Sequence, residues 1–184
     1  MAGADPRRRV KVSKYLSRHL RHQPERLGLE LAPGGWVDVD ALLAACRSHG
    51  FAITRAELDD VVATSEKQRF TLDRSGRRIR AAQGHSVEVD LGLEPVVPPA
   101  TLFHGTGRGS LDAILTAGLR PMGRTHVHLS ADEETARQVG RRHGPPVVLA
   151  VDAEGMVAVG YPFWRADNGV WLVDAVPVAF LRVL

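Results

Sequence analysis

Cysteine is nearly absent: Cys46 is the only one in 184 residues, so no disulfide can form within the chain and none holds the fold together. Aromatics are scarce at 5%. No apolar run approaches the length of a membrane span, and the first residues are too charged for a signal peptide. A cytoplasmic location is the expectation. The 44% hydrophobic content still suffices for a core, and the length suits one large domain or two small lobes.

The net charge of +3 is unevenly spread. Residues 1–29 hold eight Lys and Arg against Asp5 and Glu25, so this stretch carries +6 and the remainder −3. Such asymmetry favours a polyanionic partner, although a solvated tail at Arg7 to Arg9 would give the same composition.

Leu102 to Ser130 organises the chain. An apolar run ends in His104-Gly105-Thr106, and a Gly-rich turn is expected next. Leu111, Ile114 and Leu115 then fall at helical spacing. Ser110 suits the helix N-cap and Gly118 a left-handed end. From Arg124 the period becomes two. Val127 and Leu129 point one way, with Arg124, His126, His128 and Ser130 opposite, which suggests an anionic ligand.

Before this stretch, Val12, Leu16 and Leu20 predict a helix from about Lys11 to His22, with Arg18 and His19 off its apolar stripe. Asp38 is placed to cap a helix carrying Leu42, Leu43 and Cys46, and Thr54-x-x-Glu57 forms a capping-box pattern. Two strands, 69–73 and 77–80, follow around Ser75-Gly76. Three helices and a hairpin are the pattern of a winged helix. Lys67 and Arg69 would share a face if the first strand extends back that far. Pro95, Pro98 and Pro99 mark a linker. Beyond Ser130, Ser130-x-x-Glu133 predicts a capped helix to about Arg142. Strands are expected at 147–151, 156–159, 170–173 and 178–183.

Five blocks, SRHLRH at 17–22, KQRF at 67–70, QGHS at 83–86, HGT…GL…RTHVHLS at 104–130 and NGVWL at 168–172, together resemble the RNA 2′-phosphotransferase family. The resemblance implies an α+β fold, with a winged-helix lobe over residues 1–94 and an ADP-ribosyltransferase-like, β-rich NAD lobe over 100–184. It places Arg18, His19, Arg69 and Arg124 around an RNA phosphate in a cleft between the lobes, with Lys67 and His126 on the RNA. His104, Gly105, Thr106, Ser110, Asp112, Ile114, Gly118 and His128 are expected to hold NAD. In that chemistry the RNA 2′-phosphate first attacks the nicotinamide ribose. The ribose 2″-OH then attacks phosphorus, leaving a 2′-OH, ADP-ribose 1″,2″-cyclic phosphate and nicotinamide. His19 is the candidate general acid. No metal is expected, and the protein is expected to act as a monomer.

Two departures stand out. The family's Asn before Gln83 is Ala82 here. The late-strand Glu of many ADP-ribosyltransferases has no counterpart in NGVWL, which suits a nucleophile already charged at neutral pH. Two other readings remain open. One is a nucleic-acid-binding winged-helix regulator with a ligand-sensing lobe. The other is a zinc hydrolase using His104, His126 and His128.

Overall fold

The computed structural model describes residues 5–184. The chain divides into two compact units, Met1–Gly92 and Leu93–Leu184. Secondary structure is mixed helix and sheet throughout.

The first unit opens with helix α1, Pro6–Arg21. It starts a turn and a half earlier than the apolar period alone predicts. The reason is local: the Asp5 side chain accepts from Arg7 N, and Pro6 fits the first helical turn. Arg7 to Arg9 are thus helical and form no solvated tail. Arg8 Nε donates to Glu57 Oε1 at 2.7 Å and Arg9 Nε to Asp60 Oδ2 at 2.7 Å. Both acids lie on helix α3, Arg55–Ala63, which begins with the full Thr54–Glu57 capping box.

Between them, strand β1 (Val37–Asp38) leads into helix α2 (Val39–Ser48), and Asp38 caps that helix through Ala41 N at 2.9 Å. Strands β2 (Phe70–Leu72) and β3 (Arg78–Ala81) complete an antiparallel sheet in the order β1-β3-β2. Val12, Leu16, Leu20, Leu42, Leu58 and Ile79 meet in one core. Leu16 has no exposed surface, so its truncation to Ala would cost about 2–5 kcal/mol.

The second unit is built on strand β4, Thr101–Gly107. It contains the whole of His104-Gly105-Thr106-Gly107, and the Gly-rich turn expected after it is a 3-10 turn over Arg108–Ser110. Helix α4 (Leu111–Ala117) follows. Strand β5 (Val127–Leu129) leads to helix α5, Glu133–Gly140. Strand β6, Pro146–Asp152, pairs with β4 along its full length.

Helix α6 (Ala153–Ala158) replaces the strand expected near Met156. Its cause is the Asp152 side chain, which accepts from Gly155 N at 2.8 Å. Strands β7 (Trp164–Arg165), β8 (Trp171–Val173) and β9 (Leu181–Val183) complete two three-stranded sheets, β4-β6-β9 and β5-β8-β7. A bridge between Phe103 and Ser130 joins them. The proline stretch also belongs to this unit: Pro95 bridges to Trp164, and Val96 N donates to Phe163 O at 2.8 Å. Among the described residues no helix is long and apolar enough to cross a membrane.

Several caps differ from expectation. Asp132, not Ser130, caps α5, because its side chain accepts from Thr135 N at 2.7 Å. Ser130 instead spends its backbone N–H and carbonyl on Phe103. Ser110 makes no side-chain cap, since a 3-10 turn over Arg108–Ser110 leads directly into α4. Gly118 has φ 77° and ψ −178°, which is not the left-handed helical well. A Cβ there would also lie 2.3 Å from the Val176 carbonyl oxygen, so glycine is required twice over.

Candidate active site

In the first unit, an open cavity of about 580 Å³ is lined by one face of α1 and the approach to β2. Arg18 and Arg69, both expected at the phosphate, line it together with Lys67. So do Lys14, Arg21 and His22, which the sequence reading left out. Their signal was available. Lys14, Arg18 and Arg21 fall at i, i+4 and i+7, a second helical stripe beside the apolar one. Glu66 is the acidic exception in the wall, and Arg9 is already turned to Asp60.

Hydrogen bonds set the aim of these cations. Arg18 Nε donates to Gln23 Oε1 at 2.7 Å. Arg21 donates to the Arg69 carbonyl at 3.3 Å. Arg69 is half-buried, with its backbone N 3.3 Å and one guanidinium nitrogen 3.5 Å from Ser65 Oγ. Lys67 precedes the strand, because β2 begins only at Phe70 and Gln68 has φ 38°. The strand alternation expected to align Lys67 with Arg69 therefore does not operate.

His19 is not among the cavity's lining residues. It is 6% exposed, and its Nδ1 donates to the Tyr15 carbonyl at 2.9 Å. Burial first, and the charges of Arg18 and Arg26 second, hold its pKa below the ordinary value of 6.5. The Tyr15 carbonyl and Glu25 only partly oppose this. The ring is neutral near pH 7, with its proton on Nδ1.

In the second unit, His104, Arg124 and His128 come together. The His104 Nδ1 donates to the His128 carbonyl at 3.0 Å. The Arg124 guanidinium donates to His128 Nδ1. Arg124 lies in the exposed turn before β5 and not on the strand itself. His126 packs edge-on to Trp164, with centroids 5.3 Å apart, and its Nε2 lies 3.8 Å from Asp174 Oδ1. Burial, the largest cause, lowers the His104 pKa. His143 and Arg124 add to it against the pull of the His128 carbonyl. Among the described residues, no three His, Cys, Asp or Glu side chains group as a metal-binding set.

The expected dinucleotide contacts divide. His104 is half-buried, whereas Ser110 and Asp112 are exposed on the surface. Ile114 packs against the unit's core. Thr106 is 7% exposed. Gly105 is buried because α5 crosses it: a Cβ would stand 1.6 Å from the Ala136 carbonyl oxygen. Gly107 is filled in the same sense, 2.2 Å from the His143 carbonyl oxygen. These glycines admit the chain itself at close range.

The family model for the RNA 2′-phosphotransferase, Tpt1 / KptA family matches residues 7–175. The chain belongs to the RNA 2′-phosphotransferase family. It is an enzyme of that family, a transferase. A probable RNA 2′-phosphotransferase of Trichormus variabilis is 60% identical over 177 residues, covering 96% of this chain and 97% of the relative. One from Streptomyces griseus is 59% identical over 184 residues, with 96% and 97% coverage. Another, from Pseudomonas aeruginosa, is 52% identical over 172 residues, covering 93% and 94%. The blocks first noted at 17–22, 67–70, 83–86, 104–130 and 168–172 all fall inside the matched span.

Proposed function

We propose that this RNA 2′-phosphotransferase uses NAD as a consumed co-substrate to remove an internal RNA 2′-phosphate, as in spliced tRNA. The observation that carries the reading is the first unit's cavity. Arg18 and Arg69 converge there with Lys14, Arg21 and Lys67, in a family whose relatives are named for RNA 2′-phosphate transfer. Planar guanidinium forks match phosphate oxygens bidentately, which suits an anion that must be held and neutralised without being deprotonated.

In this reading the first unit is a winged-helix RNA lobe and the second an ADP-ribosyltransferase-like NAD lobe. Arg18, His19, Arg69 and Arg124 serve the phosphate, and Lys67 and His126 contact RNA. A non-bridging oxygen of the 2′-phosphate forms a bond to C1″ of the nicotinamide ribose as the C1″–nitrogen bond breaks. The ribose 2″-OH then attacks phosphorus, and the RNA 2′-oxygen leaves and takes up a proton. The products are 2′-OH RNA and ADP-ribose 1″,2″-cyclic phosphate. His19 is neutral in the free protein. Its role as general acid therefore requires the incoming phosphate's negative charge to raise its pKa.

On the NAD side the reading leans on His104, whose ring is fixed by the His128 carbonyl, and on Thr106 and His128. Gly105, Ile114 and Gly118 would serve the cofactor through the fold, since their own contacts are to the chain. The test is dephosphorylation of a 2′-phosphorylated oligoribonucleotide with and without NAD, in the presence of EDTA. Stoichiometric nicotinamide release supports the reading. Inorganic phosphate released without NAD overturns it, and activity abolished by EDTA would revive metal chemistry.

A further inference from the structure

Gln68 and Met122 are the two non-glycine residues with positive φ among the described residues, at 38° and 56°. Each closely precedes an arginine assigned above to the phosphate: Gln68 stands before Arg69, and Met122 two residues before Arg124. Side chains larger than hydrogen disfavour this backbone region, and it persists where the surroundings over-determine it. Around Gln68 those surroundings are visible.

Gln68 N donates to the Ser65 carbonyl at 2.8 Å and closes a tight turn. The Ser65 hydroxyl lies within reach of both the backbone N and the guanidinium of Arg69, at 3.3 and 3.5 Å. On the far side, the Arg69 carbonyl accepts from Ala82 N at 3.0 Å and from Arg21 at 3.3 Å. Immediately afterwards Phe70 enters the core, 3% exposed. The chain must therefore deliver one residue into the core and its predecessor into the cavity, straight out of a turn.

We infer that the Ser65–Gln68 turn positions Arg69: Ser65 through its hydroxyl and Gln68 through its left-handed backbone. Neither residue touches the reacting atoms; both act through the guanidinium. The guanidinium contact is long at 3.5 Å, so the hydroxyl acts on Arg69 chiefly through the backbone N at 3.3 Å, and the guanidinium's remaining donors are directed to the phosphate. The inference rests on the phosphate role proposed for Arg69.

The test is a double-mutant cycle of Ser65→Ala and Arg69→Ala, with Ser65→Thr, Gln68→Val and Gln68→Gly alongside. It is read by kcat and KM with NAD and a 2′-phosphorylated oligoribonucleotide, by the Kd of that oligonucleotide without NAD, and by melting temperature. Misplacing a catalytic group costs between about 10- and 100-fold in rate. Ser65→Ala and Gln68→Val are expected to lower kcat by about tenfold with melting little changed. Ser65→Thr keeps the hydroxyl and Gln68→Gly keeps the backbone, so both should stay near wild type.

In the Arg69→Ala background Ser65→Ala should cost less than about twofold, because coupled residues are not additive. A full tenfold loss in that background overturns the inference, as does a Gln68→Gly protein as slow as Gln68→Val. Should Gln68→Val fail to fold, the Ser65–Arg69 cycle decides alone. Should the wild type leave NAD unconsumed, the proposed function fails, and the Kd cycle still tells whether Ser65 acts through Arg69.

Discussion

At the scale of single residues, side chains and glycines do work that composition does not announce. Gly105 is the clearest case. A methyl group there meets the α5 backbone, not a flexible side chain. Overpacking typically costs about 1–3 kcal/mol, and a backbone obstacle puts Gly105→Ala at or above the upper end. The variant should melt well below wild type in NAD-free buffer. Unchanged melting with weakened NAD binding would mean that Gly105 serves the approach of the ligand and not the packing of α5.

His19 gives a second residue-scale prediction. Its folded pKa lies below 6.5, so the unfolded chain takes up the proton first on acidification. The stability that follows from the neutral ring is present above about pH 6.5 and is lost as pH falls through the folded value. His104 contributes with the same sign in the second unit. Urea unfolding at several pH values between 7.5 and 5.5 should show this slope, and His19→Gln should reduce it. An identical slope in the variant would mean that His19 titrates alike in both states.

At the scale of elements, legibility followed locality. The Thr54–Glu57 box and the Asp38 cap were readable because both partners lie within four residues. The start of α1 is equally local, in Asp5-Pro6, but the apolar period begins only at Val12. Six residues are too few to separate periods of 2 and 3.6, so Met156 to Val159 reads as a strand where α6 forms, although Asp152-x-x-Gly155 holds the cap. What could not be read was long-range. Nothing near Arg8 in sequence announces Glu57, and nothing near Gly105 announces α5.

That Arg8 pairing carries its own prediction. The Arg8 hydrogen bond, then the Thr54 backbone, hold the Glu57 pKa down at about 2. Its stabilisation is present above the ordinary carboxylate value and disappears as pH falls through about 2. Both partners are partly exposed, so Arg8→Ala should cost no more than about 0.5–1 kcal/mol. An NMR titration should show the Glu57 pKa moving up toward 4.5 in the variant. Deleting residues 1–9 would remove the first turn of α1 and two ion pairs, so weakened RNA binding in such a variant would not isolate a tail.

At the scale of the whole molecule, the proposed reaction asks the same cations to serve two steps of opposite charge demand. In the first, the RNA phosphate attacks and its negative charge falls as it becomes a diester. In the second, the 2″-OH attacks that diester and charge returns to the phosphoryl oxygens. Stabilisation that exists mainly in the transition state speeds the step in which the charge develops. Lys67 and Arg69 line one cavity, although strand alternation does not align them. Lys67→Ala with Arg69→Ala should therefore slow the second step more than the first. RNA carrying ADP-ribose on its 2′-phosphate should accumulate and migrate more slowly on a gel, in a time course with RNA labelled near the 2′-phosphate. Parallel loss of substrate consumption and product formation, with no slower band, would show that the pair serves binding or the first step instead.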